Sequence, residues 1–150
     1  MADPASGPVD RGARRQQLLE AITAFYDARQ CGDVDEFVSY FAPDARLSIP
    51  GNPVLNPGAG LRIGRDSIAR YMHRLRQENL YLDHGVDHVV VDKDMVAVRW
   101  HALVRIAENG REARFEVLDH LRIRDNQIVE MTHFYDTGTV AMIKQRVTFA

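Results

Sequence analysis

Cysteine is nearly absent. Cys31 stands alone in 150 residues, which excludes an intrachain disulfide and any zinc site built on several thiolates. It reads as a buried or half-buried thiol near a helix end. Long apolar runs are missing too. No stretch approaches the ~18 consecutive apolar residues of a membrane span, and the N-terminus lacks the basic-then-apolar pattern of a secretory leader. No membrane partner and a cytoplasmic location are therefore expected. An excess of one charge is also lacking: 19 Lys and Arg stand against 21 Asp and Glu. That balance leaves no global field to draw in nucleic acid or anionic lipid. No internal repeat appears. No His/Asp/Glu spacing matches a metal signature such as H-E-x-x-H, so neither a metal nor a cofactor is expected.

What remains is an ordinary globular composition, 45% hydrophobic, of a length that suits one domain. Residues 1–13 begin with a stretch of Ala, Pro, Gly, Ser and Asp that has little to bury, and are expected to form a flexible tail. Residues 14–150 are expected to form the domain. Leu18, Ile22, Phe25 and Tyr26 recur at helical spacing, with Gly32 as a stop. Asp33 and Glu36 resemble a capping box for a second short helix, whose buried face would carry Phe37 and Phe41 before Pro43 ends it. A strand is predicted over 46–49. The segment 50–64 holds three prolines and four glycines and reads as a loop that either gates a pocket or merely covers the surface. A third helix places Ile68, Tyr71, Met72 and Leu75 on one face. Its other face holds Arg70, His73, Arg74 and Arg76, an anion site or a solvated surface.

Beyond Tyr81 the hydrophobic period changes from helical to alternating. Strands are predicted over 88–91, 95–106, 113–124 and 128–135, followed by a short helix capped by Asp136 or Thr137. Helices first and a four-stranded antiparallel meander after them argue an α+β fold, with helices on a curved antiparallel sheet.

Asn109-Gly110 between alternating runs is a strong hairpin signal. A two-residue turn there would pair Ile106 with Ala113, Val104 with Phe115, Ala102 with Val117 and Trp100 with Asp119. These residues share one face, which Leu121 and Ile123 continue. That face is apolar except for the Asp119 carboxylate. The opposite face (Arg99, His101, Leu103, Arg105, Arg114, Glu116, Leu118, His120 and Arg122) is mixed, and with Phe134 it suits the interface of a homodimer. On the last strand Met131, His133 and Tyr135 share a face, taken as inward.

Asp119, His133 and Tyr135 are the candidate catalytic residues. A carboxyl in an apolar wall must find a cation or stay protonated, and a nearby imidazole can serve as a base at neutral pH. Trp100, Phe25, Tyr26, Ile49, Met72, Val104, Phe115 and Met131 are the candidate substrate-binding residues, for a small hydrophobic molecule. Two readings stay open: an acid/base enzyme, or a ligand-binding or assembly module in which Asp119 and His133 only satisfy each other. His84 or His88 is also placed to reach the pocket.

The segments Gly32-Asp33-Val34-Asp35-Glu36-Phe37 and Phe41-Ala42-Pro43-Asp44-Ala45 resemble the opening of the nuclear transport factor 2-like, SnoaL-like superfamily. Gly64-Arg65-Asp66-Ser67-Ile68 resembles its third-helix start. The hairpin over 117–130 and the ending Phe134-Tyr135-Asp136-Thr137 resemble its close. The resemblance runs from Arg14 to the C-terminus and implies a cone-like α+β barrel around a pocket. It also implies isomerase, cyclase or dehydratase chemistry without a metal. Asp119-His120-Leu121-Arg122 is similar to the segment carrying the oxyanion-stabilising Asp of ketosteroid isomerases. Ile49 stands where that enzyme's general-base Asp falls, and Phe25 where its Tyr falls, with Tyr26 one position away. Ala102, Val104 and His133 replace the Arg and two Asp of the epoxide-hydrolase branch. The set Asp119, His133 and Tyr135 resembles the pocket of scytalone-dehydratase-like enzymes.

Overall fold

The computed structural model describes residues 8–145. Two helices, α1 (Pro8–Cys31) and α2 (Val34–Ser39), lead into strand β1 (Phe41–Ile49) and the short β2 (Gly60–Ile63). Helix α3 (Arg65–Glu78) follows, then β3 (Asn79–Asp92), β4 (Met95–Ile106), β5 (Glu112–Arg124), β6 (Gln127–Tyr135) and helix α4 (Thr137–Ile143). The six strands form one unclosed sheet in the order β2-β1-β6-β5-β4-β3.

Helix α1 buries Leu18, Ile22, Phe25, Tyr26 and Arg29, the stripe that a 3.6-residue period produces. Phe25 stacks on Phe37 of α2 at 4.6 Å and meets Phe41 of β1 edge-on at 5.7 Å. Asp33 caps α2 by accepting the Glu36 N–H at 2.9 Å, and Asp136 caps α4 by accepting from Thr139. Strand β3 is offset twice from β4, at Tyr81/Asp83 and Val86/His88. Such bulges bend a strand, and the sheet curls around the core.

Several expectations need correction. Helix α1 begins at Pro8, so residues 8–13 of the expected tail are helical, while residues 1–7 and 146–150 lie outside the described residues. Cys31 ends α1 but is exposed. Pro43 does not end a helix: it lies inside β1, as does Phe41. The sheet is mixed, because β1 runs parallel to β6. Part of the proline- and glycine-rich segment pairs with β1 as β2.

The β4–β5 register also differs, by two residues. Val104 faces Ala113, Ala102 faces Phe115, Trp100 faces Val117 and Val98 faces Asp119. A slip of one would have exchanged the faces; a slip of two preserves them. Trp100, Ala102, Val104, Ile106, Phe115, Val117, Asp119, Leu121 and Ile123 are all buried, as the alternation requires. The cause of the slip is Asn109. A two-residue Asn-Gly turn needs positive φ at both residues, yet in this loop only Gly110 has it, at 70°. Asn109 instead donates its amide to the Ile143 carbonyl at 2.9 Å and accepts the Arg111 N–H at 3.0 Å. The paired positive φ values occur at Asp125 and Asn126, 49° and 60°, where Arg124 faces Gln127.

Asn109 thus ties the β4–β5 loop to the last turn of α4. Asn109→Ala is expected to lower stability by about 1 kcal/mol in urea unfolding. Native-state hydrogen exchange should show α4 opening before the sheet. Uniform loss of protection would contradict the tie.

Candidate active site

The apolar faces of β4, β5 and β6 meet α1 and α3 around a cavity of about 160 Å³. The sheet supplies Asn79, Tyr81, Trp100, Ala102, Val104, Phe115, Val117, His133 and Tyr135. Arg29 comes from α1, and Tyr71, Arg74, Leu75 and Glu78 from α3. The loop before β2 adds Asn56, Pro57 and Gly58, and Val140 of α4 and Lys144 just beyond it complete the wall.

Asp119 has no exposed surface. It accepts the Tyr26 hydroxyl at 2.5 Å and the Trp100 indole N–H at 2.6 Å on Oδ2. Its Oδ1 is engaged by Nδ1 of His133. Burial pushes this carboxyl up, but the charge and hydrogen bond of His133, the charge of Arg29 and the Tyr26 hydroxyl outweigh it. The group is held below the usual carboxylate range and stays ionised. Tyr26 is pushed the other way, well above an ordinary phenol, by burial first and the Asp119 charge second. It is a fixed donor.

The structure sorts the sequence candidates into three groups. His133, Tyr135, Trp100, Val104 and Phe115 line the cavity. Ile49, Met72 and Met131 surround a much smaller void that Arg29, Tyr71 and His133 also border. Asp119, Tyr26 and Phe25 line neither: the first two form a polar cluster behind the wall, and Phe25 belongs to the α1–α2–β1 aromatic packing. Tyr26, expected to bind substrate, instead donates its hydroxyl to Asp119. His84 lies against Trp100, ring centroids 4.6 Å apart, and does not line the cavity.

Several cavity residues were not foreseen. Arg29, 7% exposed, sets its guanidinium carbon 4.7 Å from the Trp100 ring centroid and 5.6 Å from that of Phe37. Its Nε is buried and has no hydrogen-bond partner among the described residues. The signal was present: Arg29 follows Phe25 by four residues and Ile22 by seven, so it falls on the apolar stripe of α1. Asn56, 2% exposed, donates to the Tyr135 hydroxyl at 2.8 Å and accepts the Gly58 N–H at 3.1 Å. Nothing in the periodicity of its segment marks it. Glu78 and Lys144 pair at 3.0 Å, a contact between residues far apart in sequence. Arg74 also reaches Glu78, at 3.7 Å.

His84 carries a pH signature. Burial, then the nearby Arg29 charge, lower its pKa to about 4, against about 6.5 unfolded. In that window the unfolded chain takes up a proton that the folded chain refuses, so stability falls as pH drops from about 6.5 to about 4. Asp119, also depressed when folded, adds to the loss below the ordinary carboxylate range. The urea midpoint should fall on acidification, and His84→Phe, which keeps a ring on Trp100, should reduce that slope. An unchanged slope would remove His84 as the cause.

Comparison with known proteins agrees with the geometry. Residues 22–131 match the family model described as a SnoaL-like domain. A search of curated proteins found no match. Among solved structures, an NTF2-like protein from Burkholderia pseudomallei superposes with a TM-score of 0.75 at 18% identity, covering 88% of this chain and 98% of that one. TerC, co-crystallized with polyporic acid, gives 0.75 at 18%, covering 86% and 98%. A protein of ketosteroid isomerase-like fold from Catenulispora acidiphila, in complex with trimethylamine, gives 0.67 at 16%, covering 77% and 85%. At these identities the structures speak for the fold. With the family match spanning most of its length, this chain belongs to the SnoaL-like domain family and has the nuclear transport factor 2-like fold.

Proposed function

We propose that the cavity is a site of metal-free acid/base chemistry, in which His133 moves a proton on a small, largely apolar, oxygen-bearing molecule. Isomerisation, cyclisation and dehydration all reduce to such a transfer. One observation carries the reading. His133 borders the cavity, and its Nδ1 is held by a fully buried, ionised carboxylate. That arrangement fixes the ring and its tautomer and leaves Nε2, which has no hydrogen-bond partner among the described residues, as the working nitrogen.

Asp119 is then a positioning residue, acting through His133. The part expected of it as a protonated donor passes to Tyr135. Asn56 donates to the Tyr135 oxygen and Tyr71 hydrogen-bonds it as well, which leaves the Tyr135 proton for a ligand oxygen. Burial raises the Tyr135 pKa and keeps that proton in place at neutral pH. The small molecules bound by TerC and by the Catenulispora protein support a small-molecule cavity here.

Proton abstraction beside a carbonyl is detectable without knowing the natural substrate. Incubation with small aryl ketones in D2O, followed by NMR, is expected to show catalysed exchange of the α-protons. His133→Ala should slow it by ~10²–10⁴-fold. Asp119→Asn should lower kcat and displace its pH profile with little change in KM. Wild-type exchange rates in His133→Ala would end this assignment. Ligand binding with no exchange would favour a binding module.

We also propose a homodimer through the outer sheet face. Leu118 and Phe134 face each other across β5 and β6, 47% and 45% exposed, beside the Arg99–Glu116 pair. Adjacent exposed apolar groups with a polar rim suit a two-fold contact. Light scattering should give twice the chain mass, and Leu118→Lys with Phe134→Lys should halve it. A monomeric wild type would refute the dimer.

A further inference from the structure

We infer that the cavity selects an anionic ligand: a compact, ring-sized molecule bearing one carboxylate or acidic enol oxygen, bound by Arg29. The inference rests on the reading that this cavity holds the substrate, and adds the substrate's charge.

The argument is one of charge accounting at the wall. Four charged side chains border the cavity: Arg29, Arg74, Glu78 and Lys144. Three of them satisfy one another, since Glu78 is met by Lys144 at 3.0 Å and by Arg74 at 3.7 Å. Arg29 has no such partner among the described residues. Its one side-chain contact of hydrogen-bond type is a long one, to the Met72 sulfur at 3.9 Å, and its Nε is buried and unsatisfied. Asp119 lies behind Trp100 and lends its field, but Tyr26, Trp100 and His133 occupy its oxygens. The faces of Trp100 and Phe37 stabilise the cation without hydrogen-bonding it.

A guanidinium cannot shed its proton to escape this desolvation, as a lysine can. Burying it with an unmet donor costs free energy unless something arrives to accept. A carboxylate or an enolate fits the planar fork, and in a low-dielectric wall such a charge-assisted pair is stronger than one in water. The same cavity is walled by Trp100, Tyr71, Val104, Phe115 and Val117, which suit an apolar ring. His133 borders the same space, so an anion held by Arg29 lies within the compartment of the proposed base.

The chain has one tryptophan, Trp100, which lines the cavity and carries Arg29 on its face, so its fluorescence reports binding there. Titrations with benzoate and with benzamide, near-isosteres differing in charge, are the test. Wild-type protein at pH 7 is expected to bind benzoate about 10–100-fold more tightly. Arg29→Met should bring the two affinities together, and Arg29→Lys should keep part of the preference. Equal affinities in the wild type, no binding of either probe, or an unchanged ratio in Arg29→Met would each overturn the inference. If circular dichroism shows Arg29→Met unfolded, the wild-type ratio and Arg29→Lys decide. Loss of the anion preference with His133-dependent proton exchange intact sinks this inference alone. An anion preference without exchange sinks the proposed chemistry alone.

Discussion

A carboxylate with no exposed surface gathers donors from three separate elements, and the rest of the site depends on that contact. Asp119 of β5 accepts from Tyr26 of α1, Trp100 of β4 and His133 of β6. Burying a carboxylate is costly unless its lone pairs are met. Here they are met by groups that would themselves be costly to bury unpaired. The cluster therefore binds the first helix to the sheet and sets the rotation of the two rings, Trp100 and His133, that form the adjacent cavity wall. Its ionised state follows from the same contacts, because a neutral acid would lose the attraction of His133 and Arg29 that now outweighs burial.

The polar groups sort into two layers. Behind the wall every strong donor and acceptor of the cluster is engaged, so that layer is structural and rigid. At the wall, His133 keeps one ring nitrogen uncommitted and Arg29 keeps an unmet donor. The curvature that makes room for this second layer comes from the bulges of β3. The lid over one side comes from Asn56 to Gly58, held by Tyr135. Rigidity behind and unmet capacity in front are what a site needs in order to act on a ligand without reorganising.

Much of this was legible in the chain. The two-residue alternation from Trp100 to Ile123 placed one acid on an apolar face, and the paired Met131, His133 and Tyr135 brought a histidine and a phenol to the same side. These survived even though the Asn109-Gly110 turn was misjudged, because a two-residue slip conserves the face. Local rules failed where a distant partner overrode them. Asn109 gave up a tight turn to hold α4. Pro43 entered a strand because β1 pairs irregularly with β6 over that stretch, its register shifting between Phe41 and Arg46. Tyr26 reached Asp119 across 93 positions, a contact no periodicity encodes. Arg29 was visible on the α1 stripe but carried no sign of what it faced.

By itself the sequence determined which side chains share a face, where the helices begin and end to within about two turns, and hence the fold class. These follow from the 3.6- and 2-residue periods and from caps such as Asp33 and Asp136, which act between near neighbours. Only the tertiary structure decided which polar groups meet and which remain unmet. The ionisation of Asp119, the unsatisfied cation at Arg29 and the parallel pairing of β1 with β6 all depend on burial and on contacts between elements. Those energies exist only once the chain has closed around its core.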